Sequence, residues 1–249
     1  MKGLRTFEGK GSHSVLATDL LSNDRDSLAR TLSSRTYLNT LDLDTNGTID
    51  ASAVTTVTGS LSAVATAYAS SGITGLGNEA VTLDDTTVAA ADLNALDLLT
   101  SGTISASTVT TVTGSLSDVA TAYASSGISG LGNEAVTLSD TTLAASALNA
   151  LDGETSGVVD ASTVTELTGS ASDVAASYAA NTAGTISGLG DSGISDLGDE
   201  SVTLDDLTVA AADLNALDLL TSGTIDATTV RAYPSRQCRA ASWRYRLHG

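Results

Sequence analysis

A 55-residue period constrains this chain more than any other feature of its sequence. Thr-Gly-Ser recurs with its glycine at 59, 114 and 169, which gives a constant 55-residue interval. Residues 47–97 and 102–152 differ at eight of 51 positions, and the next copy matches after an 11-residue insertion around Asn181 to Asp191. Copies in tandem bury their apolar faces mainly against neighbouring copies. The predicted array occupies residues 38–230, divided into 38–92, 93–147, 148–213 and a partial copy at 214–230.

The composition indicates thin layers rather than a thick interior. Aromatic residues make up 3% of the chain, with one Phe and one Trp, while hydrophobic residues reach 41%. Most of these are Ala, Val and Leu, which pack well between closely spaced backbones. Stacked units need no bulky central side chain, because each unit buries its face only against its neighbours. The composition therefore favours a stacked array over a large globular core.

The distribution of charge limits the partners of the array. The chain carries 29 acidic and 11 basic residues, for a formal net charge of -18, and residues 38–230 contain 25 acidic residues and no Lys or Arg. Binding to nucleic acid or to an anionic membrane would face electrostatic repulsion. No apolar stretch approaches the roughly 20 residues of a membrane-spanning helix. We expect neighbouring repeats or surface and matrix components as partners, with no nucleic acid and no membrane insertion.

Short β-branched runs followed by Ala-rich segments predict two strand-plus-helix units in each copy. The predicted strands are centred near Ile49, Leu83, Ile104, Leu138, Val159, Leu204 and Ile225. Units this short are typical of successive turns of a repeat structure rather than of independent domains. The predicted fold class is an α/β repeat, a parallel β/α solenoid built from a 55-residue double unit. Open strand edges at its two ends would permit edge-to-edge self-association.

Two helices are predicted within the middle copy. The first would place Val109, Val112, Leu116, Val119 and Tyr123 on one side, because they are spaced three or four residues apart. Gly114 would break this helix in two.

The second predicted helix would begin after an N-cap at Asp140-Thr141-Thr142. Leu143, Leu148 and Leu151 would supply its apolar face, and Gly153 would help to end it.

The array lacks the usual residues of catalysis. The two His residues of the chain, His13 and His248, and its only Cys, Cys238, lie outside residues 38–230. The carboxylate pairs Asp84-Asp85 and Asp205-Asp206 could serve general acid and base chemistry. In the middle copy, however, Ser139 replaces the first Asp. We therefore interpret each pair as one helix cap and one solvated residue, and predict that the chain is not an enzyme.

A glycine-rich run, Gly188-Leu189-Gly190-Asp191-Ser192-Gly193, matches the dinucleotide-binding pattern. That pattern needs a helix after the glycines to direct backbone amides at a pyrophosphate. The run is followed instead by another glycine-containing turn, so we predict a turn and no nucleotide cofactor.

One segment resembles a calcium-binding loop. Asp42, Asp44, Asn46 and Asp50 occupy alternating positions of the first nine places of an EF-hand loop, with Gly47 at the sharp turn. Position twelve is Ala53, which cannot supply the bidentate carboxylate, and the second copy has Leu99 and Ser101 at the third and fifth places. The alternatives are weakly bound Ca²⁺ at these four residues and a simple Asp-Gly turn without a cofactor.

Several acids recur at equivalent positions of the copies. The recurring residues are Glu79, Glu134 and Glu200; Asp85, Asp140 and Asp206; and Asp97, Asp152 and Asp218. Stacking of the copies would align these carboxylates in rows. At a spacing of about 10 Å in water, two such charges repel by only about 0.4 kcal/mol. We therefore expect solvated acidic rows, with weak divalent-cation binding as the alternative.

The segments SGTISASTVTTVTGSLSDVATAYASSGISGLGNEAVTLSD and TTLAASALNALDG resemble repeats in very large surface proteins of marine cyanobacteria and other aquatic bacteria, and the resemblance covers residues 38–230. It implies an extracellular or cell-surface location and an adhesive, envelope-layer or motility role, with no catalytic residue carried over. The predicted function is a non-enzymatic structural repeat segment of a secreted or surface protein. A calcium-dependent structural or adhesive module is the alternative.

Both ends of the chain differ from the array. Residues 1–37 contain basic residues without the apolar run of a secretory signal. Residues 231–249 contain five Arg and the only Pro, Cys and Trp. The abrupt change at residue 231 predicts an out-of-frame or disordered tail, and a basic tail for an anionic partner is the alternative.

Overall fold

The computed structural model describes residues 35–180 and 193–231, which alternate between short strands and helices in an α/β arrangement. The helices are α1 (Arg35–Asp44), α2 (Leu61–Ala69), α3 (Ala90–Asp97), α4 (Leu116–Ala124), α5 (Ala145–Asp152), α6 (Ala171–Ala180) and α7 (Ala211–Asp218). The strands are β1 (Ile49–Asp50), β2 (Thr56–Gly59), β3 (Ile73–Thr74), β4 (Ala80–Leu83), β5 (Thr87–Ala89), β6 (Ile104–Ser105), β7 (Thr111–Gly114), β8 (Ile128–Ser129), β9 (Ala135–Leu138), β10 (Thr142–Ala144), β11 (Val158–Asp160), β12 (Glu166–Gly169), β13 (Gly193–Ser195), β14 (Ser201–Leu204) and β15 (Ile225–Asp226).

The strands form parallel sheets in which neighbouring strands are related by a short, regular step along the chain. The sheet orders are β1-β3, β2-β4-β6-β8, β5-β7-β9-β11-β13 and β10-β12-β14-β15. Val57 pairs with Val81 after a 24-residue step, and Val81 pairs with Ile104 after a 23-residue step. Across the insertion the step is longer, as between Leu167 and Val202. Outside the insertion, the step that relates paired strands is therefore less than half of the 55-residue sequence period.

The mismatch between these two periods staggers the sheets. Two 24-residue steps fall short of one copy, and the remaining residues include an additional strand. In the first two copies this strand is β5 or β10, and each starts a new sheet by pairing with the strand that follows after a 24-residue step. The sheet that starts at β5 then continues through three copies to β13. Hydrogen bonding therefore continues across the copy boundaries drawn from the sequence.

All seven predicted strand centres lie within strands, and the strand pairings among the described residues are parallel, as predicted. The prediction missed the short strands between these centres, including β2, β5 and β7. It was wrong about the first helix of the middle copy, because Val112 lies in β7 and the helix begins only at Leu116. Gly114 ends β7 with a φ of 146°, a backbone conformation that favours glycine.

The core is a thin layer between the sheets and the helices. Central strand residues such as Val57, Ile104 and Val136 are fully buried, while the flanking strand residues are half-buried or exposed. From the helices, Leu148 and Leu151 complete this layer, as predicted for α5. Leu143 is also buried, but it belongs to β10 rather than to the helix. Alternate burial along the strands and one buried helix face leave room for only one apolar layer.

Hydrogen bonds from side chains join elements that are separated by a 24-residue step. Asp140 was predicted to cap α5, which begins instead after Ala144 without a side-chain cap. The Asp140 Oδ2 atom accepts a 2.7 Å hydrogen bond from the Leu116 amide at the start of α4. Asp85 and Asp206 accept equivalent bonds from the first residues of α2 and α6. Each of these acids therefore caps a helix earlier in the chain, where its charge is also favourable for the helix dipole.

Candidate functional site

The four residues of the predicted calcium loop are distributed over a helix, a turn and a strand. Asp42 and Asp44 lie in α1, Asn46 follows it, and Asp50 lies in β1. Asp42 Oδ2 accepts a 2.6 Å hydrogen bond from Ser70 Oγ, and Asp50 Oδ1 accepts a 3.0 Å bond from the Ser52 amide. Within residues 35–180 and 193–231, no three or more His, Cys, Asp or Glu residues form a group that could hold a metal ion. Calcium binding at the four residues stays a prediction.

The most distinctive polar feature is a buried Tyr–Glu pair that recurs in the three copies. Glu79, Glu134 and Glu200 are at most 1% exposed. This burial shows that the expectation of a solvated row was wrong for these three acids. Their Oε2 atoms accept hydrogen bonds of 2.8, 2.9 and 3.0 Å from the hydroxyl groups of Tyr68, Tyr123 and Tyr178, respectively. The pairs link the end of a helix to the glycine-containing turn that follows it.

Each pair is enclosed by backbone and hydroxyl hydrogen bonds. In the second copy, Glu134 Oε2 also accepts from the amides of Gly132 at 2.7 Å and Asn133 at 3.2 Å. Thr155 Oγ1 donates a 2.6 Å hydrogen bond to the backbone carbonyl of Glu134. The first copy has the same arrangement around Glu79. The carboxylate therefore fixes the turn on one side, while the threonine joins that turn to a later segment of the chain.

The tyrosines in these pairs are hydrogen-bond donors over the ordinary pH range. Burial raises the pKa of Tyr123, and the neighbouring Glu134 carboxylate raises it further, although Thr155 acts in the opposite direction. Burial likewise raises the pKa of Tyr68 and of Tyr178. A higher pKa keeps the hydroxyl proton in place for donation to the carboxylate. The geometry suits a structural hydrogen bond between the tyrosine and the carboxylate, because the tyrosine keeps its proton.

The unmatched polar atoms differ among the copies. Among the described residues, Glu79 Oε1 and Glu134 Oε1 are buried without a hydrogen-bond partner. In the third copy, Glu200 Oε1 accepts a 3.0 Å hydrogen bond from the Gly198 amide. The sequence held one signal for these sites, the recurrence of Tyr and Glu at an 11-residue spacing in the first two copies. Burial of the Glu could not be recognised from that spacing alone.

A second difference concerns the acids at the ends of α1, α3 and α5. Asp42 and Asp97 accept hydrogen bonds from Ser70 and Ser125. In the third copy, the position equivalent to Ser125 is Ala180, immediately before the insertion. Within the described part of the chain, Asp152 Oδ1 is buried and has no partner. Burial raises the pKa of Asp152, so its ionised form is disfavoured in the folded chain.

We expect Asp152→Asn to stabilise the chain at neutral pH, because the substitution removes a desolvated charge. A carboxyl pKa raised by folding makes Asp152 less unfavourable as pH falls through that pKa. The advantage of the Asn variant should therefore shrink in acid. Thermal unfolding of the full chain across the acid range measures this change. The matched control is Asp97→Asn. This substitution should lower the free energy of unfolding by about 0.5 to 1 kcal/mol, because it weakens the hydrogen bond from Ser125. Equal destabilisation by both substitutions would contradict the prediction.

The carboxylate pairs suggested for acid and base chemistry have unequal environments. Asp85 Oδ2 lies 2.6 Å from the Leu61 amide, while Asp84 is exposed. Asp206 and Asp205 repeat this arrangement. One cap and one exposed residue agree with the sequence interpretation, although the capped helix precedes the pair.

Some sequence predictions fall outside the residues that the structure describes. They concern residues 1–34, most of the glycine-rich run at 188–193, and the tail at 232–249. Among the helices described here, none has the length and apolar character needed to cross a membrane. No protein-family model, curated protein or solved structure matches this chain.

Proposed function

We propose that this chain is a non-enzymatic structural repeat segment of a secreted or cell-surface protein, with a role in adhesion or in a surface layer. In this proposal, residues 38–230 form a parallel β/α solenoid whose length is set by the number of 55-residue copies. The observation that carries the proposal is the sheet from β5 to β13, which crosses two copy boundaries. Copies whose strands pair across the copy boundaries lengthen a single continuous structure, whereas copies that fold as closed domains would add separate domains.

The polar groups of the copies support a structural role. The capping acids connect elements across a 24-residue step, and the Tyr–Glu pairs fasten the turns between them. Asn94 of α3 donates a 2.9 Å hydrogen bond to the carbonyl of Asp118 in α4, and Asn149 of α5 makes the same contact with α6. These contacts use polar residues to hold successive turns in register. Other acids, such as Asp84 and Asp205, are exposed on the surface.

The location and the adhesive or layer role follow from the resemblance of residues 38–230 to repeats of aquatic bacterial surface proteins. A long, acidic, repetitive protein suits a spacer or layer component, because adding copies of the repeat lengthens the protein without requiring a different fold. Its partners in this proposal are neighbouring repeats and surface or matrix components, and its open strand edges allow self-association.

Inserting a second copy of residues 93–147 after residue 147 tests the structural role. In this proposal, one copy of 55 residues spans slightly more than two 24-residue steps, so the maximum dimension should grow by about 11 Å at a strand spacing of about 4.8 Å. Small-angle X-ray scattering measures this increment together with the cross-section, which should stay constant. A cross-section that grows with copy number, or a separate unfolding transition for the added copy, would contradict the proposal.

The surface location has a separate test in the source organism. Antibodies raised against residues 93–147 should label intact cells, and mild external proteolysis should remove the label. Labelling that requires permeabilised cells would refute the surface location while leaving the structural proposal standing.

A further inference from the structure

Helix α7 exposes a face that the equivalent helix α3 buries. The two helices share the sequence Ala-Ala-Asp-Leu-Asn-Ala-Leu-Asp. In α3, Ala90 and Leu93 are 0% exposed. In α7, the equivalent Ala211 is exposed and Leu214 is half-buried. The difference therefore arises from what packs against each helix, because the two sequences are identical.

In the earlier copies, this face is covered by the next helix along the chain. α3 packs against α4, and α5 packs against α6. Asn94 of α3 donates a hydrogen bond to the Asp118 carbonyl in α4, and Asn149 of α5 donates one to the Asp173 carbonyl in α6. The equivalent side chain in α7, Asn215, is exposed. Among the described residues, no helix follows α7. The face of α7 therefore matches a helix of the same kind as α4 or α6.

The segment just before α7 differs from its counterparts in the same way. In the earlier copies, β5 pairs with β7, and β10 pairs with β12. Within the described part of the chain, the equivalent residues 208–210 form no strand, and the neighbouring Leu207 is 64% exposed. The Arg231 amide donates a 2.7 Å hydrogen bond to the Leu207 carbonyl, just as the Thr110 amide donates to Thr86. The backbone therefore keeps the register in which a strand like β7 would begin at the next residue.

The sequence of residues 232–249 does not match such a strand and helix. Pro234 has the position that Thr113 has in β7, and proline cannot donate a hydrogen bond within a sheet. Arg244 has the position of Tyr123, which packs against the core from α4. A charged side chain is costly to bury at such a position. The better match to the face is the repeat sequence itself.

We propose that residues 207–218, the acceptor face, bind a strand-plus-helix segment supplied by another chain of the same repeat. The segment corresponds in sequence to residues 110–126, which contain β7 and α4. Its strand pairs with residues 208–210, and its helix buries Leu214 and accepts the hydrogen bond of the Asn215 side chain. The inference rests on the structural role proposed above and identifies the partner that joins one array to the next.

A fluorescently labelled peptide of residues 110–126, added to the full chain, tests the proposal. The fluorescence anisotropy of the peptide should rise and saturate at one peptide per chain. A matched peptide that carries Val119→Asp should bind more weakly by about tenfold or more, because Val119 is buried in α4 and a charge there must lose its water. Absence of saturable binding by the unsubstituted peptide would overturn the proposal.

Substitutions in the full chain assign the binding to the acceptor face. Leu214→Asp should weaken binding of the peptide by about tenfold or more. Asn215→Ala leaves the fold intact, because Asn215 is exposed, and should weaken binding by about two- to tenfold through the lost hydrogen bond. The matched control is Leu98→Asp, at a side chain that is 87% exposed just after α3, and it should leave binding unchanged. Equal affinities in all three variants would overturn the assignment.

A competition experiment decides between the repeat segment and the tail as occupants of the face. An unlabelled peptide of residues 110–126 should displace the labelled one, whereas an equal concentration of a peptide of residues 232–249 should not. Displacement by the tail peptide would overturn the proposal in favour of the tail. If the inserted copy lengthens the chain but the peptide does not bind, the acceptor face alone is refuted. A separate unfolding transition for the inserted copy would refute the structural role, whatever the peptide does.

Discussion

Gly157→Ala should lower the free energy of unfolding by about 3 kcal/mol or more, because the new methyl group has no room. A Cβ atom at residue 157 would overlap the backbone carbonyl of Glu134 and crowd the Ala135 amide. Backbone atoms cannot move aside as a flexible side chain can. Gly102 and Gly223 face Glu79 and Glu200 in the same way. The close contact between a glycine and the backbone of the paired Glu therefore recurs with each Tyr–Glu pair.

Gly153→Ala is the matched control for this substitution. Gly153 lies at the end of α5 with a φ of -73°, and its nearest contact for an added Cβ atom is 3.4 Å away. That position tolerates alanine, so the free energy of unfolding should change by no more than about 0.5 kcal/mol. Urea denaturation of the full chain measures both variants. Similar midpoints for the two alanine variants would show that the backbone at Gly157 can yield, contrary to the packing described here.

The existence of parallel strands and helices could be predicted from the sequence because the copies share short β-branched and Ala-rich runs. Ile49, Ile104 and Val159 mark strands that the structure confirms. The actual pairing could not be read from the 55-residue period, because strands pair at a 23-residue or 24-residue step. Equivalent strands of the first two copies therefore lie in different sheets, as β2 and β7 do. Sequence identity reveals the copies, whereas hydrogen bonding reveals the step between paired strands.

The errors in local structure have a physical cause. Val109, Val112 and Leu116 have helical spacing, but the Thr-Val-Thr run favours a strand, and Gly114 allows the sharp change of direction into α4. Spacing alone cannot distinguish one long helix from a strand that leads into a short helix. Tertiary pairing with β5 and β9 decides the outcome.

The candidate site could be predicted less well than the fold, because its acids depend on distant partners. Asp140 is of a residue type that often caps the helix that follows it, here α5, yet it accepts a hydrogen bond from the amide of Leu116 in α4. Glu134 has the character of a surface acid, but Tyr123, a glycine turn and Thr155 enclose it. Tyr123 and Gly132 lie within 11 residues of Glu134 along the chain, whereas Thr155 is 21 residues from Glu134 and Leu116 is 24 residues from Asp140.

Ile104→Ala tests whether a buried side chain in β6 stabilises the two strands that pair with it, β4 and β8. Ile104 is fully buried in β6, where it pairs with Val81 on one side and Ile128 on the other. Truncation of a buried Ile leaves a cavity and costs about 2 to 5 kcal/mol. Chemical denaturation should show a loss in this range. Hydrogen exchange should quicken first in β4, β6 and β8, because β6 pairs directly with β4 and β8.

Leu98→Ala supplies the control, since this apolar side chain is 87% exposed just after α3. Its loss should change the free energy of unfolding by about 0.5 kcal/mol or less. If Ile104→Ala changed the free energy of unfolding as little as Leu98→Ala, the Ile104 side chain would not contribute to the stability of the core. If exchange instead quickened uniformly from Leu38 to Val230, the array would unfold as one unit. Local acceleration around β6, with a large loss only for Ile104→Ala, is the outcome expected of short sheets joined at a 24-residue step.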